Sequence, residues 1–120
     1  MASRKNTKDY PIRSIREDLR QRAARQAELL SRSVGRLTSY DVRPCMEYGE
    51  EVAAQYAIVD ELLYLQQCRR ALERCIASGS ARLRYRWQDG RTTDTWFRKL
   101  TPGRVRVSGL QLEPALPAAG

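Results

Sequence analysis

The 120 residues contain no histidine. That absence removes Ser-His-Asp and Cys-His nucleophilic catalysis, the H-E-x-x-H metalloprotease and histidine-based acid–base steps. Cysteine is scarce: Cys45, Cys68 and Cys75 form no C-x-x-C pair and have no histidine beside them, so no zinc site can be read. Cys68 and Cys75 stand seven apart on one expected helix, about 10 Å of rise, beyond the reach of a disulfide. All three cysteines are expected to be reduced and partly buried. Neither common glycine-rich phosphate loop is present. No apolar run approaches the ~18–20 residues of a membrane span, and the polar start MASRKNTKDY has no apolar leader segment. A cytoplasmic, non-enzymatic binding protein is therefore expected, with no catalytic residues, cofactor, metal, membrane contact or small-molecule substrate.

Lysine is rare as well, with three among the 22 basic residues, so the net charge of +8 is almost entirely guanidinium. Arginine suits bidentate contact with phosphate or carboxylate. The charge falls in three blocks: residues 1–45 carry +6, residues 46–67 carry −5 with no basic residue, and residues 68–110 carry +8, with Glu113 subtracting one. An acidic waist separates two basic ends.

The fold class expected is α+β, a long two-helix antiparallel hairpin followed by a small two- or three-stranded antiparallel sheet. Residues 1–9 read as a disordered N-terminus and 10–109 as a single domain, with helices over 11–36 and 45–77 and a sheet over 81–108. Residues 110–120 read as an extended or disordered tail. Asp9-Tyr10-Pro11 resembles a helix start. Ile12, Ile15, Leu19, Ala23, Ala27, Leu30, Val34 and Leu37 then make one apolar stripe at helical spacing. Thr38–Pro44 gathers turn residues and ends on a proline, marking a connector. In the second helix, Ile58, Leu62, Leu65, Cys68, Leu72, Cys75 and Ile76 form the main stripe. Val52, Tyr56, Val59 and Leu63 add a second apolar edge. A helix apolar on two sides needs covering twice, so Val52, Tyr56, Val59, Leu62 and Leu63 are the candidate interface for a homodimer or a protein partner.

The most shaped segment is ARLRYRWQDGRTTDTWF, residues 81–97. Asp89-Gly90 signals a two-residue type I′ hairpin. That turn sets Trp87 opposite Thr92, Arg86 opposite Thr93, Tyr85 opposite Asp94, Arg84 opposite Thr95, Leu83 opposite Trp96 and Arg82 opposite Phe97. By alternation Leu83, Tyr85, Trp87 and Trp96 pack on the helices, while Thr93, Thr95 and Phe97 join the arginines on the open side. A type II turn at Thr101-Pro102-Gly103-Arg104 sets Leu100 opposite Val105 on the packed side and Lys99 opposite Arg106 on the open side. The expected open face thus holds Arg82, Arg84, Arg86, Lys99, Arg104 and Arg106, with Phe97 among them and no acid. Arg98 fits badly: it falls on the packed side, which calls for a bulge or a snorkelling stem.

Charge on a sheet face also discourages edge pairing, a plain structural use. A single-sign face with an aromatic within it, however, is what a nucleic-acid platform needs, with arginine forks for phosphate and a ring for a base. A helix with a small-residue stop followed by a short hairpin with a charged Asp-Gly turn, over about Leu72–Phe97, resembles the central part of small phage head-to-tail joining proteins. The closing helix of that pattern is replaced here by TPGRVRVSGLQLEPALPAAG, and no family is assigned. Two functions are expected in competition. One is a nucleic-acid-binding regulator or accessory factor, contacting DNA or RNA through Arg82, Arg84, Arg86, Phe97, Lys99, Arg104 and Arg106. The other is an assembly or adaptor protein, such as a phage or mobile-element component, docking on a larger complex through its helices and charged surface.

Overall fold

A computed structural model describes the backbone of residues 7–38 and 45–112 and the side chains of residues 7–32 and 55–112. The elements run β1 (Lys8–Pro11), α1 (Ile12–Thr38), α2 (Cys45–Ser78), β2 (Ser80–Arg86), β3 (Thr92–Thr101) and β4 (Arg104–Ser108). The class is α+β: two helices and one antiparallel sheet of order β1-β4-β3-β2. The sheet has four strands rather than the two or three expected. The connector between the helices, the Val52 side chain and the tail beyond Leu112 lie outside the described residues.

The fourth strand comes from residues read as frayed chain and helix start. Lys8–Pro11 pairs antiparallel with β4, placing Asp9 opposite Arg106 and Tyr10 opposite Val105. A proline cannot donate to a ladder and so belongs on an edge; Pro11 ends the edge strand, and α1 begins at the next residue. The Ile12 N–H donates to the Gly103 carbonyl at 2.9 Å, so the β3–β4 turn satisfies one free donor of the helix.

The first half of the α1 stripe faces inward as its spacing predicts, with Ile12, Ile15 and Leu19 buried; Ala23 and Leu30 are half-buried, Ala27 is exposed, and the side chains of Val34 and Leu37 lie outside the described residues. From α2 come Tyr64, Leu65, Cys68, Ala71, Leu72 and Cys75, and from the sheet Leu83, Trp87, Phe97, Val105 and Val107, closing one core. The helices run antiparallel: Arg16 of α1 meets Glu73 near the end of α2, and Gln26 meets Glu61 earlier in α2. Burial pushes the Cys68 thiol up to about 12, keeping it protonated at neutral pH.

α2 stops at Gly79, which takes a φ of 104° and donates its N–H to the Cys75 carbonyl at 2.7 Å. No basic residue stands in its last turn. Lys99 of β3 supplies one, donating to the Ile76 carbonyl at 3.1 Å.

Three hydroxyl-mediated bonds close the far side of the core. The Gln111 N–H donates to the Tyr64 hydroxyl at 2.9 Å, Tyr64 pairs with Thr95 Oγ1 at 2.7 Å, and Thr95 donates to the Gly109 carbonyl at 3.1 Å. Each hydroxyl has one proton, so the chain runs in one direction, from Gln111 through Tyr64 and Thr95 to Gly109. Residues 110–112 take no helix or strand, and Leu110 is buried while Leu112 packs against the core.

The acidic waist is partly spent inside the chain. Buried Asp60 accepts from the Tyr85 hydroxyl at 2.8 Å and from the Gln88 N–H at 2.9 Å. Glu61 accepts from Gln26 Nε2 at 3.1 Å and lies 4.0 Å from Arg22. These bonds tie α2 to β2 and α1, where burial of two carboxylates needs partners.

Both turns of the sheet differ from expectation, by the same step. Trp87 and Arg91 close the first hairpin, with the Trp87 N–H donating to the Arg91 carbonyl at 2.8 Å and the Gly90 N–H to the Trp87 carbonyl at 2.9 Å. The loop is therefore Gln88-Asp89-Gly90, with Gly90 at a φ of 95°, the three-residue hairpin instead of the two-residue one. Asp89 accepts from the Arg91 N–H at 2.9 Å, fixing this turn. At the second turn, Thr101 pairs with Arg104 but Lys99 pairs with Val105, so Leu100 makes a bulge. Gly103 takes no positive φ, so the type II turn is not formed. Each change moves β3 by one residue, and a one-residue slip turns every side chain of a strand over.

Candidate nucleic-acid interface

With β3 turned over, Thr93, Thr95 and Phe97 face the helices, and Asp94, Trp96 and Arg98 face outward. Phe97, expected among the arginines, is 1% exposed in the core. Lys99, also expected there, lies on the packed side against the end of α2. Leu100, expected to be packed, is exposed. Trp96, expected to be packed, pairs with Arg82 and Ser108 on the open face. The misfit of Arg98 disappears, because it stands opposite Arg106 on the open face and needs no snorkelling.

Arg82, Arg84, Arg86, Arg104 and Arg106 lie on the open face as the alternation required, and Arg98 makes six arginines. The expectation of a face without acids fails. Asp94 of β3 stands opposite Arg84 and takes its guanidinium at 2.9 and 3.4 Å, with Arg82 at 3.8 Å on the other side. Asp9 of β1 takes Arg106 at 2.7 and 3.1 Å. The Arg84 hydrogen bond holds the Asp94 carboxyl below its ordinary value, and the Arg106 hydrogen bond does the same for Asp9. Asp94 meets Arg84 and Arg82 of the neighbouring β2, and Asp9 meets Arg106 of the neighbouring β4, so each acid relieves the like-charge crowding of the face.

Six arginines against two aspartates leave the face strongly positive. Arg86, Arg98 and Arg104 form no salt bridge among the described residues, although Arg104 is near enough to Asp9 to help hold its carboxyl down. Trp96 lies among them on the inner strand β3, with the Arg82 guanidinium 5.5 Å from its ring centroid. Beside it is a recess of about 220 Å³ lined by Thr7, Trp96, Arg98, Arg106 and Ser108. The four residues that sequence reasoning missed, Asp9, Asp94, Trp96 and Arg98, follow from the register of β3 and the pairing of β1. Arg98 alone carried a signal, since it was the one residue the two-residue turn could not place.

On the helix side, Tyr56 and Leu63 are exposed at 54% and 43%, and Val59 and Leu62 are half-buried. Among the described residues no group of three histidine, cysteine or acidic side chains is placed to hold a metal ion, and no helix is long and apolar enough to cross a membrane. Comparisons with protein families, curated proteins and solved structures find no match for this chain.

Proposed function

We propose that the open sheet face binds single-stranded nucleic acid, with Trp96 stacking on a base and Arg82, Arg86, Arg98 and Arg104 meeting phosphates. The observation that carries this reading is the position of Trp96, an aromatic ring on the open side of the inner strand β3 with Arg82 opposite it and Arg98 two residues along. Stacking on a ring requires an unpaired base, which favours a single strand over a duplex. Phosphate contact releases counterions and makes affinity fall with salt, with a slope near −0.7 for each phosphate met on a single strand. The protein would act as a regulator or accessory factor, without catalysis.

The test uses the two tryptophans. Trp87 is buried with its Nε1–H donating to Thr93 at 2.7 Å, so quenching by a bound oligonucleotide reports Trp96. Titration with mixed-sequence single-stranded DNA and RNA should quench the fluorescence of the wild type and of Trp87→Phe but not of Trp96→Phe. Arg86→Ala with Arg98→Ala should shallow the salt slope by about 1.4. Quenching that Trp96→Phe leaves intact, or an unchanged slope, rejects the assignment. The second reading, an adaptor that docks through its helices on a larger complex or a second copy, is favoured by exposed Tyr56 and Leu63, seven residues apart on α2.

A further inference from the structure

The helix layer carries a second basic surface that the sheet-face reading does not use. Tyr64 marks the side of α2 that faces the sheet, since its hydroxyl meets Thr95 of β3. Gln66 and Glu73 stand about half a turn from that side, on the outer surface of the layer. There α1 and α2 leave a groove in two connected parts that share Arg20, Gln66 and Arg69. One part, of 430 Å³, has a floor of Ala23, Ala24, Ala27 and Leu62, with Leu63 on its edge. The other, of 750 Å³, is lined mostly by arginine.

Charge and shape together specify the occupant. Of the six arginines around the larger part, Arg16 is held by Glu73 at 2.9 Å and Arg20 by Glu17. Arg13, Arg69, Arg70 and Arg74 meet no acidic side chain among the described residues. Alanines on α1 leave space beside Leu62 and Leu63 for another element to approach. We propose that this groove takes an amphipathic helix of a partner protein, apolar where it meets Ala27, Leu62 and Leu63 and acidic where it meets Arg13, Arg69 and Arg70.

A phosphate backbone gains nothing from the alanine and leucine floor, which argues against a second nucleic-acid site. A two-fold contact with another copy would set this basic groove against its own equivalent, with like charges opposed. The nearby acids Asp60 and Glu61 are already bonded within the chain. The proposal is independent of the sheet face, and either can fail without the other.

The test uses a labelled synthetic peptide with leucines at helical spacing along one face and glutamates flanking them, and a control with lysines in place of the glutamates. The glutamate peptide should bind at least about tenfold more tightly than the control, and more weakly as salt rises. Arg69→Glu with Arg70→Glu should weaken it about tenfold or more. Ala27→Trp, which fills the floor and leaves the charge alone, should weaken it comparably. All these positions are exposed, so circular dichroism and thermal melting should match the wild type. Equal binding of the two peptides, or indifference to Ala27→Trp, overturns the proposal. So does displacement of the peptide by a single-stranded oligonucleotide, which would make the groove a nucleic-acid site. A dimer in sedimentation that excludes the peptide and dissociates in Leu63→Asp overturns it in favour of a second copy.

Discussion

Trp96 and Phe97 are adjacent in sequence and face opposite sides of β3, so truncating each should have a different effect. Phe97→Ala should lower stability by about 3–5 kcal/mol, the usual loss for a buried aromatic, measured by urea unfolding. Trp96→Ala should stay within about 1 kcal/mol of the wild type while losing nucleic-acid affinity. The reverse pattern would restore the two-residue register. Asp94→Asn removes a negative charge from the face and frees Arg84, and should tighten single-strand binding about two- to fivefold at low salt, measured by anisotropy. Much of this was legible at the level of single residues: the alternation of Arg82, Arg84 and Arg86 follows from the strand itself. What was not legible was which neighbours they share. Asp-Gly suits both a two- and a three-residue loop, and the choice rests on Asp89 accepting from the Arg91 N–H and on a bulge at Leu100 ten residues away. Arg98 was the only local clue, since the two-residue register alone left a charge facing the core.

Among the elements, the helices were the most legible, because a three-and-four spacing of apolar residues has one geometric meaning and α2 ends at Gly79 for a reason visible in sequence. β1 was not legible: four residues ending in proline read equally as a helix start, and their partner strand lies at the other end of the chain. The contact between α2, β3 and the segment after β4 depends on Tyr64. Removing its hydroxyl leaves the Gln111 N–H without a partner, so Tyr64→Phe should cost about 1–3 kcal/mol and hasten proteolysis near Gln111. α2 also carries a pH dependence with a definite sign. The Cys68 thiol is raised from 9.0 to about 12 by burial, and Tyr64 is raised by burial as well. Groups with raised values stabilise the fold fully below their unfolded values and lose that contribution as pH rises. The melting temperature should therefore fall as pH rises from 9.0 toward 12; a flat profile would mean that Cys68 is accessible to solvent.

The whole molecule is a layered body of 55 × 30 × 28 Å, with the open sheet face on one side and the groove between α1 and α2 on the other. The two proposed ligands should therefore bind together. An oligonucleotide and the glutamate peptide, added in either order, should form a ternary complex in sedimentation, with each affinity changed less than about twofold by the other. Strong mutual exclusion would mean that both read one surface. The sheet order has a consequence of a different kind. Arg106 and Asp9 are 97 residues apart in the chain and opposite each other in the sheet. Closing so long a loop is entropically slow, and little local structure can assist it. During synthesis β1 must wait for β4 to emerge from the ribosome. Until then the Val105 side of the core is missing, Tyr10 is uncovered and the aspartate that pairs with Arg106 has no partner, so the nascent helices would be the form of this protein most in need of a chaperone.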